Sequence, residues 1–283
     1  MKLLSPAKIN LFLAVTGKRP DGYHELYMLM CAVSLYDTIT LIFNPQSRSQ
    51  KINIFCDAGD VPSDESNLAH KAACLFFKKM GVRDSVDIFI EKNIPTGAGL
   101  GGGSSNAAAL LSGLNQHYGF PFSSEKLMEM GVTLGADVPF FIFGKPAIAT
   151  GIGEKIEAYK WLSPFKVLLI YPGFSVSTAS VYKNFSLGLT TCKKKIINLP
   201  FKDSVFNPEC HLCNDLETVT VSLHPEITRI KSLLCEQGAA GALMSGSGSA
   251  VFGLFSEAET AKAAKRNCSQ NKKWKIFLAD MLI

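Results

Sequence analysis

Residues 95–108 hold a dense glycine cluster that guides how the rest of the chain is interpreted. They read Pro95-Thr96-Gly97-Ala98-Gly99-Leu100-Gly101-Gly102-Gly103-Ser104-Ser105-Asn106-Ala107-Ala108. Five glycines in seven positions lose much conformational entropy on folding, so a stable protein keeps them where its backbone must approach a ligand closely. Strong helix formers follow, so loop amides and a helix N-terminus would converge on one point, which favours an anion. The stretch therefore predicts a phosphate-binding loop.

Other glycine-rich loops fit this stretch less well. A tight turn with glycines kept for packing is the alternative, but five glycines followed by two serines and a helix argue against it. The loop is not a Walker A motif, because no Gly-Lys-Ser/Thr follows it. The β-α-β alternation of a dinucleotide-binding fold does not continue, and protein-kinase signatures are missing from the sequence.

The hydroxyls of Ser104 and Ser105 could bind a phosphate oxygen or a magnesium ion.

The composition excludes several classes of protein. The chain has 283 residues, 47% hydrophobic and 19% charged, which excludes a disordered or collagen-like chain and allows two domains. No apolar run reaches the roughly 18 residues of a membrane span. The net charge of +5 is mild and suits anionic small ligands. Basic clusters at 193–195 and 272–273 lack interleaved aromatic residues, so we expect no nucleic-acid partner.

The eight cysteines are predicted to be reduced core residues of a cytosolic protein. They are spread along the chain, and most lie in apolar segments, where a free thiol behaves as a small hydrophobic group. Cys210 and Cys213 have the spacing of zinc ligands, but no second ligand pair follows. The sequence therefore favours ordinary thiols, and we assign no metal-ligating residue.

Hydrophobic periodicity predicts an α+β protein. The predicted strands are 3–16, 23–33, 38–43, 51–56, 85–91, 166–171, 250–255 and 274–278. The predicted helices are 67–80, the segment after the glycine loop, 125–134, 225–237 and one from Ser256, where Ser256 and Glu259 suggest a capping box. Residues 172–208 give no clear pattern. Helices on one side of an antiparallel sheet suit a ferredoxin-like second half, and we expect domains at 1–155 and 156–283.

Three motifs, in order along the chain, resemble those of the GHMP kinases, the superfamily of galactokinase, homoserine kinase and mevalonate kinase. They are PAKINL at 6–11, the glycine stretch at 95–108 and MSGSGSAVF at 244–252. The strings at 19–26, 135–141 and 214–217 strengthen the match. The resemblance implies the α+β GHMP kinase two-domain fold, in which an N-terminal domain carries the phosphate loop and the C-terminal domain is ferredoxin-like. It also implies an ATP- and Mg2+-dependent phosphotransferase acting on an alcohol.

The resemblance assigns the ATP-binding residues. They are Pro95, Thr96, Gly97, Ala98, Gly99, Leu100, Gly101, Gly102, Gly103, Ser104 and Ser105, with Asn67 and the backbone of Lys92 beside the adenine. Asn67 and Lys92 would not be selected from their own chemistry. The turn at 245–248 has room to approach the substrate or the phosphate loop, but it could equally be a plain hairpin.

Lys8, Asn10 and Asp137 are the candidates for the reacting centre. Strand alternation places Lys8 and Asn10 on one face, roughly 7 Å apart, and polar residues between apolar neighbours need partners. Lys8 could also be an edge-strand solubility residue, and Asp137, just before an apolar run, is either a helix cap or a functional base. The resemblance implies that Lys8 and Asp137 are catalytic, with Asp137 accepting the proton of the substrate hydroxyl, and that Asn10 binds substrate.

Aromatic residues after the turn at 21–22 are candidates for binding a nucleobase. The face of Tyr23 can stack on a base and the edge of His24 can hydrogen-bond to one, although a surface hairpin aromatic is the plainer interpretation. The resemblance implies that both hold a cytosine, that Tyr182 closes the sandwich, and that Thr178 also binds substrate.

The expected partner is therefore a small molecule, a cytidine diphosphate-linked alcohol, with no nucleic acid and no membrane. We expect a monomer or a homodimer. The first predicted strand starts at residue 3 and leaves no room for a plastid transit peptide, so a bacterial cytoplasmic enzyme is expected.

Overall fold

A computed structural model describes residues 1–44, 51–59, 61–190, 192 and 204–283. The strands are β1 (Lys2–Lys18), β2 (His24–Phe43), β3 (Ile52–Cys56), β4 (Val86–Glu91), β5 (Ala147–Gly151), β6 (Lys155–Ala158), β7 (Lys166–Tyr171), β8 (Cys213–Asn214), β9 (Gly241–Met244), β10 (Val251–Phe255) and β11 (Lys275–Leu282). The helices are α1 (Leu68–Met80), α2 (Gly102–His117), α3 (Ser124–Val132), α4 (Val138–Phe143), α5 (Thr178–Asn184), α6 (Pro208–His211), α7 (Glu217–Leu223), α8 (Glu226–Glu236) and α9 (Ala258–Cys268). No helix in the described part of the chain is long and apolar enough to cross a membrane.

The chain forms two compact units built from interleaved segments. Unit 1 comprises Met1–Ala7, Leu35–Thr96 and Gly101–Gly144, and unit 2 comprises Lys8–Ser34, Gly97–Leu100 and Lys145–Ile283. Strands β1 and β2 and the glycine loop each contribute residues to both units. The division at residues 155 and 156 stays a prediction.

Unit 1 packs helices against a small sheet. The second half of β2 pairs antiparallel with β4, and β3 pairs parallel with β4. Helix α1 begins at its N-cap Asn67, whose side chain accepts from the Ala69 N–H, and ends at Gly81 in the left-handed conformation. Its buried face packs on α2 in a core that also contains apolar residues of β4. Helix α2 is thus packed against α1 along its apolar face.

Unit 2 contains the predicted ferredoxin-like arrangement. Its antiparallel sheet has the order β11-β7-β10-β9, and α8 and α9 both pack on this sheet. The chain order of strand, helix, two strands, helix and strand is that of the ferredoxin-like motif. Buried residues of α8, including Ile227, Ile230 and Leu234, recur at helical spacing and form one core with the sheet. The α+β fold class is confirmed.

Several predicted elements need correction. The predicted strands 23–33 and 38–43 are one strand, β2, because residues 34–37 continue the extended backbone. The capping box is wrong: α9 has Glu257 as its N-cap and no side-chain cap hydrogen bond, because the helix begins one residue later than predicted. Helix α5 lies within 172–208, for which no element was predicted, while residues 191 and 193–203 lie outside the described residues.

The expectation that all cysteines are reduced core residues is wrong. Cys192 and Cys213 form a disulfide, and Cys74, Cys210 and Cys235 are exposed. Cys213 lies in β8, which pairs with β1 at Phe12. The sequence could not reveal this pair, because the two cysteines are 21 residues apart and only the fold brings them together. With its sulfur in the disulfide, Cys213 is not available as a metal ligand beside Cys210.

Removing this disulfide should lower stability. The bond closes a loop of 21 residues, and the loss of that constraint on the unfolded chain costs about 3 kcal/mol in the chain-entropy picture. We expect the double variant Cys192→Ala/Cys213→Ala to lose about this much free energy of unfolding in urea titrations without reductant. The wild type should lose a similar amount on adding reductant, whereas the double variant should not respond. A reductant response of equal size in both proteins would contradict the pairing.

Candidate active site

Lys8 and Asn10 lie side by side in β1, as strand alternation predicts. Lys8 is 4% exposed, Asn10 is fully buried, and the Lys8 ammonium donates to Asn10 Oδ1. The Lys8 backbone N–H donates to the carbonyl of Leu100 in the glycine loop at 3.0 Å. A buried lysine with these contacts is not an edge-strand solubility residue. The structure thus brings a cation next to the backbone of the predicted phosphate loop.

The C-terminal glycine turn, residues 245–248, packs directly on Gly97–Leu100. The buried Ser245 hydroxyl donates to the Gly99 carbonyl at 3.0 Å and accepts the Asn10 N–H at 3.3 Å. A Cβ added at Gly246 would lie 3.4 Å from Lys8 Nζ, so the turn also approaches the lysine. These contacts favour the interpretation of the turn as part of the site over that of a plain hairpin.

Two residues of the sequence string at 214–217 fix this turn. Asn214 donates from its side-chain amide to the carbonyls of Met244, at 2.9 Å, and Gly246, at 2.7 Å. Glu217 accepts the Met244 N–H at 3.0 Å and forms an ion pair with Lys231. Asn214 is 5% exposed, so these bonds are shielded from water. The motif therefore has a structural role that pattern matching alone did not reveal.

The glycines of the loop are needed for two separate reasons. Gly97, Gly99 and Gly101 have φ values of 62°, 76° and 71°, in the left-handed region that favours glycine. In addition, a Cβ at Gly99 would lie 2.0 Å from the Ser245 carbonyl oxygen. The glycines thus allow the loop backbone to lie close to the turn at 245–248 of the same protein, in addition to the predicted approach to a ligand.

In unit 1, the glycine loop continues into α2, whose N-cap is Gly101 and has no side-chain cap hydrogen bond. Thr96 and Gly103 are exposed, Pro95 and Ser104 are half-buried, and Ser105 is 1% exposed and accepts from the Ser5 hydroxyl at 2.8 Å. Ser104 is therefore the more accessible hydroxyl of the pair. The first N–H groups of a helix without a side-chain cap are donors suited to an anion.

Asp137, also in unit 1, precedes α4 and is half-buried. It occupies the N-cap position, but its side chain makes no cap hydrogen bond. A cap role, one of the two interpretations from sequence, is therefore not supported. A Cβ at Gly135, two residues earlier, would lie 3.6 Å from Ser104 Oγ, so this loop runs beside the start of α2.

Asn67 and Lys92 are held by the protein itself. Asn67 caps α1 and donates to the Pro62 carbonyl at 2.6 Å. The Lys92 backbone N–H donates to Asp57 Oδ1 at 2.9 Å, and its side chain points into the protein towards Asp37. A role beside adenine stays a prediction for both residues.

The predicted nucleobase residues are partly assembled in unit 2. The rings of His24 and Tyr182 are stacked, with centroids 5.2 Å apart and an interplanar angle of 23°. Tyr23 lies apart from them, 61% exposed. Thr178, at the start of α5, has its hydroxyl 2.8 Å from that of Ser247 in the glycine turn. The structure thus connects α5 with both the histidine and the turn.

Two neighbours of these residues were missed from the sequence. Phe185 meets His24 edge-on at 6.1 Å, and Ser247 is 4% exposed beside Thr178. Phe185 lies in a stretch with no distinctive apolar pattern, whereas the motif at 244–252 contained Ser247 and could have pointed to it. Burial, and then the charge of Lys18, lower the pKa of His24 below its ordinary value of 6.5. Its ring is therefore neutral at pH 7, with one nitrogen donating and the other accepting.

Comparisons with known proteins place the chain in a family. The family model of the GHMP kinases N terminal domain matches residues 67–145, and that of the GHMP kinases C terminal domain matches residues 205–273. A solved homoserine kinase from Cytophaga hutchinsonii, 18% identical, superposes with a TM-score of 0.78 over 98% of this chain and 93% of its own. At 18% identity, this similarity supports the fold alone.

Relatives with higher sequence identity define a narrower family within the GHMP kinases. A 4-diphosphocytidyl-2-C-methyl-D-erythritol kinase of Syntrophotalea carbinolica is 50% identical over 98% of this chain and 97% of its own length. One of Syntrophus aciditrophicus is 46% identical over 98% of both. A crystal structure of 4-(cytidine 5'-diphospho)-2C-methyl-D-erythritol kinase is 33% identical, with a TM-score of 0.81 over the full length of both chains. The chain therefore belongs to the GHMP kinases and, within them, to the family of 4-diphosphocytidyl-2-C-methyl-D-erythritol kinases.

Membership of this family confirms the resemblance seen in the three motifs. The chain is a small-molecule kinase that uses ATP. The class of protein predicted from the glycine loop is thus confirmed, while the roles of individual residues are proposals.

Proposed function

We propose that this chain transfers the γ-phosphoryl group of ATP to the 2-hydroxyl of 4-diphosphocytidyl-2-C-methyl-D-erythritol, a step of the non-mevalonate route to isoprenoid precursors. The names and the near-complete coverage of its relatives support this substrate. The observation that carries the proposal is the His24–Tyr182 ring pair beside the Thr178–Ser247 contact, because aromatic faces and a neutral imidazole edge suit a cytosine.

The phosphate loop and Lys8 would handle the transferred group. Phosphoryl transfer passes through a loose transition state, so positioning and charge stabilisation contribute more than covalent chemistry. The Lys8 ammonium, held by Asn10 and close to Gly246, can balance charge that develops on the phosphoryl oxygens. Asn10 would keep that ammonium in place and contact the substrate.

Asp137 would receive the proton of the reacting hydroxyl. The bond between the γ-phosphorus and the bridging oxygen of ATP breaks, and a bond from that phosphorus to the substrate oxygen forms. The hydroxyl proton moves to the Asp137 carboxylate, and ADP leaves with the bond electrons. This assignment is supported by the position of Asp137 just before α4, in a loop that runs beside Ser104 at the start of α2.

Magnesium is part of the proposal as the partner of ATP. Magnesium is commonly bound through one or two protein oxygens together with substrate phosphates, where it neutralises charge. The half-buried Ser104 hydroxyl fits this need, because it lies at the start of α2, where the phosphates would bind. Ser105 fits it less well, since its buried hydroxyl is already engaged by Ser5.

A coupled assay of ADP release tests the proposed reaction. Release should depend on the cytidyl substrate and should stay at background with homoserine or mevalonate, the alcohols of related kinases. ADP release driven by either of those alcohols would assign a different substrate. Binding of ATP without any turnover on the cytidyl substrate would indicate a nucleotide-binding protein that has lost catalysis.

Replacing His24 by alanine should weaken binding of the cytidyl substrate. Stacking on one aromatic ring is worth about 1–3 kcal/mol per base, so the KM for this substrate should rise about 5- to 150-fold. The KM for ATP should change less than about twofold. A matched control is His117→Ala, which removes a histidine stacked on Phe43 in unit 1. Equal changes in both KM values for His24→Ala would argue against a cytosine site.

A cytoplasmic location is also part of the proposal. In the described part of the chain, six cysteines are free, which suits a reducing compartment, whereas the Cys192–Cys213 disulfide is unusual there. A monomer or a homodimer remains the prediction, which light scattering coupled to size-exclusion chromatography would decide.

A further inference from the structure

Asp37 and Lys92 form a buried ion pair in unit 1, next to the first turn of α2. The roles proposed above give no function to these two charged side chains. Asp37 in the second half of β2 is fully buried, and Lys92 just after β4 has a side chain that is 7% exposed. Their charged groups are in direct contact. Charged groups are rarely buried unless they are paired, so this arrangement demands a reason.

The Asp37 carboxylate, in β2, accepts hydrogen bonds from two other parts of unit 1. Its Oδ1 accepts the backbone N–H groups of Asn93 and Ile94, both at 2.8 Å. Its Oδ2 accepts the Lys92 ammonium and, at 3.0 Å, the side-chain amide of Asn106 in the second turn of α2. The carboxylate therefore connects three elements: strand β2, the segment 92–94 that leads into the glycine loop, and helix α2.

Asn106 extends the contact to the first strand and to the neighbouring helix residue. Its amide also donates to the Ser5 hydroxyl at 2.8 Å, and Ser5 in turn donates to Ser105 at 2.8 Å. Ser5, Ser105 and Asn106 are all at most 4% exposed. The start of α2 is thus held from the interior by a continuous set of polar contacts.

The ammonium of Lys92 approaches the first residue of α2. A Cβ added at Gly102 would lie 3.1 Å from Lys92 Nζ, which makes this nitrogen one of the nearest atoms to that residue. Lys92 Nζ also lies 3.3 Å from Asn106 Oδ1. The positive end of the ion pair therefore faces the helix N-terminus, where the helix dipole is also positive.

We propose that Asp37 and Lys92 are positioning residues for the nucleotide phosphates. Asp37 fixes the segments on either side of the loop, so that the first N–H groups of α2 are held in place before ATP arrives. The Lys92 ammonium adds positive potential behind the same turn. This inference rests on the proposed use of ATP and deepens it, because it assigns the side chain of Lys92 to the phosphates while its backbone lies on the adenine side.

A positioning role differs measurably from a purely structural one. A pair that only stabilises the fold would affect all ligands alike, through the fraction of folded protein. A pair that prepares the phosphate site would affect ligands with phosphates and spare adenosine. ADP and adenosine share the same base and sugar, so their comparison isolates the phosphate part.

The test is a titration calorimetry comparison of ADP and adenosine on the full chain. We expect Asp37→Asn/Lys92→Met, which removes both charges together, to raise the Kd for ADP about 10-fold and to leave adenosine within about twofold. Equal changes for ADP and adenosine, or none for ADP, would overturn the inference. Tyr118→Phe is the control, since it removes the hydrogen bond to Asp84 at the other end of α2 and should leave both affinities unchanged.

A second variant covers the case in which the double variant does not fold. Asn106→Ala keeps the ion pair but cuts its contact with α2, and it should raise the Kd for ADP about threefold without affecting adenosine. An unchanged ADP affinity in this variant would also overturn the inference. If the wild type itself does not bind ADP, the proposed function fails, and that outcome is distinct from a variant that binds as the wild type does.

Discussion

Replacing Lys8 or Asp137 by alanine should lower kcat by about two to three orders of magnitude, with a much smaller change in ATP affinity. Removing one group that stabilises charge in a transition state commonly costs a factor of about 10²–10³, and loss of a positioned base costs a similar factor. ATP would still be bound through the backbone groups of the glycine loop. Steady-state kinetics with the cytidyl substrate, together with ADP titrations, separates these two effects.

Two surface variants serve as controls for this prediction. Lys2→Ala removes an exposed lysine from the same strand as Lys8, and Asp280→Ala removes an exposed carboxylate paired with Lys166. Both should retain nearly full turnover. If Lys8→Ala and Asp137→Ala also turn over near the wild-type rate, the assignment of both residues is wrong.

Gly99→Ala should reduce kcat/KM for ATP by about 10²-fold or more. The added methyl group would meet the Ser245 carbonyl at 2.0 Å and the Gly248 nitrogen at 3.0 Å, so either the loop or the turn must move. A displacement of about 1 Å at a reacting site can cost about 10²-fold in rate. Because Ser245 also contacts the backbone of Asn10, a shift of the turn would reach the strand that carries Lys8.

Gly119→Ala is the control that separates the steric collision at Gly99 from the backbone strain of a left-handed alanine. Gly119 has φ 75°, nearly the same as the 76° of Gly99, but a Cβ there has no atom within 4 Å. Both variants carry the cost of a left-handed alanine, about 1–2 kcal/mol, and only Gly99→Ala carries the collision. Comparable losses of activity in the two variants would show that strain alone is responsible.

Elements with local signals were predicted closely from the sequence. The predicted helix 67–80 corresponds to α1, for which Asn67 is the N-cap and Gly81 is the left-handed end. The alternation in β1 correctly placed Lys8 and Asn10 on one face, because a strand has a fixed period of two. Helix α5 gave no such signal, since seven residues without a strong apolar stripe do not set a period.

Contacts around the candidate site could be anticipated only where one motif held the residues concerned. Asp37 was missed because its partners Lys92 and Asn106 are 55 and 69 residues away, so no local pattern connects them. Phe185 was missed for the same reason, as its contact with His24 joins distant segments. Conversely, the glycine turn was noticed as a motif, but its contact with Gly99 emerges only from the fold.

The sequence by itself determined the class of this protein and the position of its glycine loop. Both depend on a contiguous stretch, residues 95–105, in which backbone freedom and a following helix are encoded locally. Only the tertiary structure decided three contacts: the turn on Gly99, the Cys192–Cys213 disulfide, and the Asp37–Lys92 ion pair near the start of α2. These contacts join residues that are far apart along the chain, and their existence depends on packing that no single segment specifies.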